Sequence, residues 1–258
     1  MNNEQEKNFN ELVSVITPAY NAEKFIHNTI KSVLAQTYSK WEMIVVDDCS
    51  TDSTVKIVRE YMQQDERIKL IQLKKNSGPA VTRNTAIKNA RGRYLAFLDS
   101  DDQWYPEKLE KQLKYMEENK IAFSFSSYEY MDEKGNPSGK TEPVPELVNY
   151  KDLLKQNMIG CLTVMLDTEK TGNIEMVNIR SRQDYTTWLN LTKRGIHAYG
   201  LQEVLARYRV VENSLSSNKF KMAKQNWKVY REIENLGLIK SIYYFIYYLF
   251  NKFKKYVL

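Results

Sequence analysis

The chain has 258 residues, 42% hydrophobic and 27% charged, which fits one globular domain with or without an appendage and excludes disordered, collagenous and coiled-coil chains. It has two widely separated Cys and two His, which argues against a disulfide framework or a Cys/His zinc site, so any metal ion must be bound by carboxylates. The net charge is +6. Residues 219–258 carry nine Lys or Arg and two Glu, a net charge of +7, which leaves −1 for residues 1–218. Because the larger part of the chain is not basic, this distribution argues against a nucleic-acid partner.

Short apolar runs alternate with helical patterns in the first half of the chain. The first eleven residues are polar and lack the segments of a secretory signal, so we expect a cytoplasmic protein. The apolar runs that follow are Leu12–Ile16, Glu42–Val46, Ile68–Leu73, Tyr94–Leu98 and Ile121–Phe125. Between them, apolar residues recur at helical spacing. This alternation predicts an α/β fold with a mostly parallel sheet that helices cover on both faces.

The second half of the chain is less regular. Turn-forming residues between Met131 and Pro145 predict a hinge or lid that leaves the sheet or covers its ligand-binding edge. The pattern then predicts a strand at Cys161–Leu166, a helix at Gln183–Arg194, and a strand with a turn at His197–Tyr208.

Glycine-rich phosphate loops are missing from the sequence. Neither GxGxxG nor GxxxxGK[ST] occurs, which argues against a dinucleotide-dependent dehydrogenase and against a P-loop NTPase. If the protein binds a nucleotide diphosphate, a divalent cation is the expected substitute for a ring of backbone N–H groups.

Acidic residues follow two predicted strands, at the edge where open parallel sheets bind their ligands. Asp47 and Asp48 follow the second strand, and residues 99–102 (Asp-Ser-Asp-Asp) follow the fourth. Asp99 and Asp101 can bind one hard cation together, Mg²⁺ or Mn²⁺, which would offset their mutual repulsion. Each residue alone is also explained as a helix cap or a surface residue, but their occurrence at successive strand ends favours a site.

Three residues at the same edge have the chemistry to bind a nucleotide. The ring of Tyr20 offers a flat surface on which a base can stack. The carboxylate of Asp48 can accept the N3–H of uracil. The guanidinium of Arg83 is a rigid donor that can reach a base or a phosphate.

Four ordered motifs resemble those of a family 2 glycosyltransferase with the GT-A fold, over residues 12 to about 218. The motifs are Val13–Asn21, Val45–Asp52, Arg83-Asn84 and Leu98–Asp102. The resemblance implies metal-dependent, inverting transfer of a sugar from a nucleotide diphosphate sugar, which we expect to be a UDP-sugar, to a hydroxyl of a glycan or polyprenyl-linked acceptor in surface-polysaccharide synthesis. It implies nucleotide-binding roles for Pro18, Tyr20, Asn21, Asp48, Arg83, Asp99 and Ser100, and metal binding by Asp101 and Asp99.

Inversion also needs a general base that deprotonates the acceptor hydroxyl. The family supplies it from a Glu-Asp pair ahead of a Trp-Leu-Arg helix, and residues 182–190 resemble this motif, with Gln183 in place of the first acid and Asn190 in place of the Arg. The resemblance therefore makes Asp184 the base. The alternative is that Asp184 is a helix N-cap, in which case Asp167 and Glu203 are the next carboxylates to test.

The resemblance also divides the chain. It implies a catalytic domain at residues 1–218, with a nucleotide-binding half at about 12–102 and an acceptor half at about 103–218. Residues 208–214 resemble the closing loop of the family, with Val211 where related members often carry a His. This leaves Arg209 as the candidate in that loop for a metal or phosphate contact.

Residues 219–258 form a basic, aromatic tail that is predicted to be helical. Its apolar run, Ile242–Phe250, is shorter than the roughly 18 to 20 residues needed to cross a bilayer. The run is flanked by Lys240, Lys252, Lys254 and Lys255. This pattern predicts that residues 238–258 lie on an anionic membrane surface, which would make the protein peripheral at the inner face of the cell membrane. The alternative is a helix packed on the catalytic domain or in a dimer.

Three other functions compete with sugar transfer. A nucleotidyltransferase would also pair a nucleotide pocket with acidic metal ligands, but it usually has a Gly-rich basic loop where this chain has residues 17–21. A phosphoacceptor receiver domain has an acidic pair like Asp47 and Asp48, but not after the second strand. A non-catalytic module that binds nucleotide sugars at a membrane is the third possibility, which only a turnover assay can separate from an enzyme.

Overall fold

A computed structural model describes residues 10–179, 181–211 and 219–257 of the chain. Within these residues there are ten strands: β1 Val13–Ala19, β2 Trp41–Asp47, β3 Ile68–Gln72, β4 Tyr94–Phe97, β5 Gln103–Trp104, β6 Phe123–Met131, β7 Pro137–Glu142, β8 Leu147–Val148, β9 Met165–Asp167 and β10 Ala198–Arg209. The α-helices are α1 Ile26–Leu34, α2 Thr54–Met62, α3 Pro79–Asn89, α4 Lys108–Glu118, α5 Tyr150–Lys155, α6 Thr168–Thr171, α7 Gln183–Lys193, α8 Lys219–Lys228 and α9 Leu238–Val257. A π-helical segment, Val229–Ile233, connects α8 to α9.

The strands form one mixed sheet in the order β3-β2-β1-β4-β9-β6-β10-β5. The parallel arrangement predicted from the sequence holds for β3, β2, β1 and β4, whereas β9 runs antiparallel between β4 and β6. Ala19 pairs with Asp47, and Ile16 pairs with Phe97. Because these register pairs align the carboxyl ends of β1, β2 and β4, the polar segments that follow them leave the sheet at one edge.

Two apolar cores cover the two faces of the sheet. One contains side chains of α3, α5 and α7, with Trp188 packed against Phe97 and Phe123. The other contains side chains of α1, α2 and α4. The central strands β1 and β2 contribute to both cores, which explains their nearly continuous apolar sequence.

The turn-rich segment after β6 stays with the sheet, so the expectation that it leaves the sheet is wrong. Its first turn does lie at the carboxyl edge, where Arg209 donates to the carbonyl oxygens of Asp132 and Glu133. Residues 132–136 form a turn in which both carboxylate oxygens of Asp132 accept hydrogen bonds from Asn136. β7 then returns antiparallel along β6. The predicted strand at Cys161–Leu166 is also corrected: Cys161–Thr163 form a 3-10 turn, and the strand is β9.

The C-terminal segment packs against the same core as α7. Val229 and Tyr230 are buried in that core, and Tyr244 and Phe245 of α9 pack against it. The predicted packing on the catalytic domain is therefore present. Within the described residues, no helix combines the length and the apolar character that crossing a membrane requires.

Candidate active site

The loops after β1 and β2 are hydrogen-bonded to each other. Asn21 adopts a left-handed conformation with φ 47°. Its N–H donates to Ser50 Oγ at 2.9 Å, and its Oδ1 accepts the N–H of Thr51 at 2.9 Å. Pro18 is half-buried next to this link, and the Tyr20 side chain is 51% exposed. An open aromatic ring therefore stands beside a loop pair that is fixed in place.

Asp48 is buried and has partners that the sequence did not predict. Its Oδ1 accepts the N–H of Ser77 at 2.7 Å, and its Oδ2 accepts the N–H of Gly78 at 2.8 Å. Gly78 has φ 87° and directly precedes Pro79, the first residue of α3. Asp48 thus fixes the start of α3, and a contact with uracil would have to use the remaining lone pairs of its carboxylate.

The acidic residues after β4 form a tight turn. The N–H of Asp102 donates to the carbonyl oxygen of Asp99 at 3.1 Å. Thr29 of α1 supports the turn, because its Oγ1 lies 2.9 Å from the carbonyl oxygen of Ser100. Burial, together with the charge of Asp99, raises the pKa of Asp101 to about 6. Burial and the charges of Asp101 and Asp99 raise the pKa of Asp102. The turn thus concentrates more negative charge than its surroundings compensate.

Arg83 of α3 is hydrogen-bonded to the acidic turn, residues 99–102, and the charge of Asp184 on α7 acts on it. It is buried, and its Nη2 donates to Asp99 Oδ1. Burial alone would lower the pKa of Arg83, but the carboxylates of Asp99 and Asp184 act in the opposite direction, and the pKa is raised overall. Among the described residues, Nε and Nη1 of Arg83 are buried without a hydrogen-bond partner. Two donors are therefore free beside the acidic turn.

Asp184 is the second residue of α7 and is half-buried. The helix begins at Gln183 with Arg182 at the N-cap position, so the alternative that Asp184 is the N-cap is wrong. The two substitute candidates lie elsewhere. Asp167 pairs with Tyr94 at the amino end of β4 and is ion-paired to Arg93 at 2.8 Å, and Glu203 is ion-paired to Lys111 at 2.5 Å. Of the three candidates, Asp184 is the carboxylate whose charge acts on Arg83.

Arg209 supports the acidic turn through hydrogen bonds. Its backbone N–H donates to Asp102 Oδ1 at 2.8 Å, and its Nε donates to the carbonyl oxygen of Asp101 at 2.7 Å. Its Nη1 donates to the carbonyl oxygens of Asp132 and Glu133. Most of the guanidinium donors are therefore bonded to backbone carbonyl oxygens. The sequence offered no signal for this role, and the remainder of the predicted closing loop, residues 212–214, lies outside the described residues.

The acidic turn fits a divalent cation that is bound partly by substrate. In the part of the chain that the structure describes, no group of three or more His, Cys, Asp or Glu side chains is arranged to hold a metal ion by itself. Mg²⁺ and Mn²⁺ are commonly bound by one or two carboxylates together with phosphate oxygens and water. Burial and the charge of Asp99 raise the pKa of Asp101 by more than Arg209 and Arg83 lower it, so a bound cation would stabilise the ionised carboxylate further.

A mixed α/β sheet with helices on both faces is the architecture of glycosyltransferases with the GT-A fold. Comparisons with known proteins agree, since residues 14–172 match the family described as Glycosyl transferase family 2. The chain is 55% identical over 248 residues to TuaG of Bacillus subtilis, which is named for teichuronic acid biosynthesis. The match covers 96% of this chain and 98% of TuaG. The chain belongs to glycosyl transferase family 2.

Two further comparisons concern other members and the fold. The chain is 41% identical over 245 residues to WfgD of Escherichia coli, a UDP-Glc:alpha-D-GlcNAc-diphosphoundecaprenol beta-1,3-glucosyltransferase, and the match covers 95% of this chain and 94% of WfgD. The mannosyltransferase PcManGT from Pyrobaculum calidifontis, solved with GDP-Man and Mn²⁺, superposes with a TM-score of 0.68 at 19% identity over 89% of this chain and 66% of that one.

Proposed function

We propose that the protein is an inverting, metal-dependent glycosyltransferase that moves a sugar from a UDP-sugar to a hydroxyl of a lipid-linked glycan in surface-polysaccharide synthesis. The observation that carries the proposal is the buried Arg83, which donates to Asp99 of the acidic turn at the carboxyl edge of the sheet and has further donors without partners among the described residues there. The names of the relatives TuaG and WfgD support the polysaccharide, the UDP donor and the lipid-linked acceptor.

The donor half of the proposal assigns roles to the residues at the sheet edge. Tyr20 stacks on the base, Asp48 accepts a base N–H, and Pro18, Asn21 and Ser100 shape the pocket through their loops. Arg83 has two free donors for the diphosphate or the base. Asp101 and Asp99 would hold Mn²⁺ or Mg²⁺, which when bound supplies positive charge that stabilises the departing diphosphate. The PcManGT complex with Mn²⁺ supports a divalent cation.

The acceptor half of the proposal assigns the general base to Asp184. Its carboxylate takes the proton of the acceptor hydroxyl as the oxygen attacks the anomeric carbon, and the nucleotide diphosphate leaves from the opposite face. Arg83 lies near enough for its positive charge to interact with Asp184.

The experiment is a donor screen with the full-length protein. Release of the nucleoside diphosphate is measured, as UDP from UDP-glucose and UDP-GlcNAc and as GDP from GDP-mannose, with Mn²⁺ or with EDTA, and with a GlcNAc-diphosphate-lipid acceptor. We expect acceptor-dependent UDP release that EDTA abolishes, and a product of inverted anomeric configuration by NMR. Undiminished activity in EDTA would refute the cation, and a product with retained configuration would refute the role of Asp184.

We also propose that residues 219–258 are a basic tail of a catalytic domain formed by residues 1–218, and that the tail rests on an anionic membrane. One face of α9 packs on the domain, and the opposite face exposes large apolar side chains. These are Ile239, Ile242, Tyr243, Ile246, Leu249, Phe250 and Phe253. The exposed face lies on a segment of net charge +7, and this combination fits interfacial binding to anionic lipid. The side chains of Lys254 and Lys255 lie outside the described residues.

Charge substitutions on the exposed face test the membrane proposal without removing the packed face. Ile246→Glu with Phe250→Glu should abolish co-sedimentation with phosphatidylglycerol vesicles while leaving the thermal transition unchanged. Val177→Glu, at an exposed apolar position on the catalytic domain, is the matched control and should sediment like the parent. Binding of the parent should weaken as salt rises. Equal sedimentation of the variant and the parent would refute the proposal.

A further inference from the structure

The start of α7, which presents Asp184, has an unusual backbone and no local cap. Arg182 precedes the helix with φ 71° and ψ 11°, in the left-handed region that non-glycine residues rarely adopt. Its side chain makes no capping hydrogen bond to the first turn. A strained residue persists only where surrounding structure fixes it. The contacts that fix Arg182 therefore also determine the position of Asp184, two residues later.

Arg182 contacts one tyrosine of its own helix and one of the C-terminal helix. Its guanidinium lies 5.8 Å from the ring centroid of Tyr185 and 5.8 Å from that of Tyr248 on α9. Its Nη2 donates to the Tyr248 hydroxyl oxygen at 3.4 Å. Tyr248 is only 6% exposed, whereas Tyr247 next to it is 39% exposed. Arg182 is half-buried, so its contact with the buried ring of Tyr248 is less exposed to solvent than a contact on the outer face of α9 would be.

The C-terminal segment also contacts the other end of α7. Lys193, the last residue of the helix, donates from Nζ to Glu234 Oε2 at 3.0 Å. Glu234 is buried and accepts a second hydrogen bond from the Tyr150 hydroxyl at 2.6 Å. Glu234 follows the π-helical segment directly. Both ends of α7 are therefore held by side chains of residues 230–250.

We propose that Tyr248 and Arg182 are positioning residues for the general base, so that the C-terminal helix is part of the catalytic unit. The helix fixes the left-handed turn at Arg182, and this turn sets where the carboxylate of Asp184 stands relative to Arg83. The proposal rests on the role of Asp184 in the proposed function. Small displacements of a catalytic group can cost about 10²-fold in rate, which bounds the expected effect.

The first test separates positioning from folding. In Tyr248→Leu, we expect kcat for sugar transfer to fall at least tenfold, while the KM for the UDP-sugar and the affinity for UDP with Mn²⁺ stay within twofold. Tyr248→Phe keeps the ring and should restore most of kcat. Tyr247→Leu, at the exposed neighbouring position of the same helix, is the matched control and should behave like the parent with a soluble acceptor. A parent-like kcat in Tyr248→Leu would overturn the proposal.

The second test examines the coupling directly. Arg182→Gly removes the guanidinium but tolerates the left-handed backbone. If the two side chains act together, its loss of kcat should equal that of Tyr248→Leu, and the double variant should be no slower than either. Additive losses would overturn the proposal.

A third measurement does not depend on the chemistry of the reaction. Hydrogen exchange of the amides in residues 184–188 should accelerate in Tyr248→Leu and in Arg182→Gly, but not in Tyr247→Leu. If the protein transfers no sugar yet exchange changes in this way, only the proposed function fails. If exchange in α7 is unaffected, the positioning role fails whatever the activity.

Discussion

Replacement of Asp101 by Asn is expected to make the protein more stable and at the same time inactive. The pKa of Asp101 is raised from 3.8 to about 6 by burial and by the charge of Asp99. One pKa unit corresponds to about 1.36 kcal/mol, so keeping this carboxylate ionised at pH 7 destabilises the folded state by about 3 kcal/mol. Because the side chain is half-buried and its repulsion is shared with Asp99, we expect a measured gain on the order of 1–3 kcal/mol, or several degrees in Tm.

The sign of the pH dependence follows from the same shift. Between about pH 4 and pH 6 the folded protein retains a proton that the unfolded chain has released. The free energy of unfolding of the parent should therefore fall as pH rises through this window, and Asp101→Asn should remove that fall. At pH 7 the variant should be more stable than the parent in EDTA, and only the parent should gain stability when Mn²⁺ and UDP are added.

The assay is thermal unfolding of both proteins at several pH values, with EDTA or with Mn²⁺ and UDP. Asp65→Asn is the control, because its partner Arg67 lowers the pKa of Asp65, so this substitution should destabilise slightly instead. A variant less stable than the parent in EDTA at pH 7 would refute the repulsive environment of Asp101. Sugar transfer at the parent rate would refute its role in the reaction.

Three other substitutions test separate parts of the site and the fold. Asp184→Asn should slow sugar transfer by roughly 10²- to 10⁴-fold while the calorimetric affinity for UDP with Mn²⁺ stays unchanged, since a base acts on the acceptor. Asp48→Ala should weaken UDP binding and also lower Tm, because the amides of Ser77 and Gly78 lose their acceptors; tight UDP binding would contradict the pocket. Burial lowers the pKa of Lys108 to about 7, so parent stability should rise from about pH 7 to 10.5, and Lys108→Met should flatten this rise in urea titrations.

The first half of the fold was predictable because its strands are buried on both faces. Apolar runs bounded by polar residues mark β1 to β4 in the sequence. The predicted ends of the strands were less accurate. β1 continues to Ala19 through Thr17, which is polar, and Pro18, which is typical of turns. Those residues stay in the strand because Thr17 and Pro18 pair with Val45 and Val46 of β2. Long-range pairing here overrides local propensity.

The hairpin and the supporting contacts of the site could not be predicted from local patterns. β7 has the sequence Pro-Ser-Gly-Lys-Thr-Glu and is almost wholly exposed, so it lacks the alternation that marks a half-buried strand. Asp48 with Ser77, and Arg209 with Asp102, join positions 29 and 107 residues apart. Single residues carry no signal for such contacts, whereas the motif residues were predictable because parallel strands end at one edge.

The tail shows why one apolar run allowed two interpretations. A helix advances 100° per residue, so the run Ile242–Phe250 separates into two stripes. Tyr244 and Phe245 pack against the apolar core that contains α7 and Tyr248 is buried, whereas Ile246 and Phe250 are exposed. Packing and membrane contact are therefore compatible, and removal of α9 would expose core side chains. A helix with its side chains is about 10 Å thick, and Arg182 touches the inner side of α9. If the outer side rests on lipid, the helix that carries Asp184 lies about one helix diameter from the bilayer surface, within reach of a sugar attached to a lipid diphosphate.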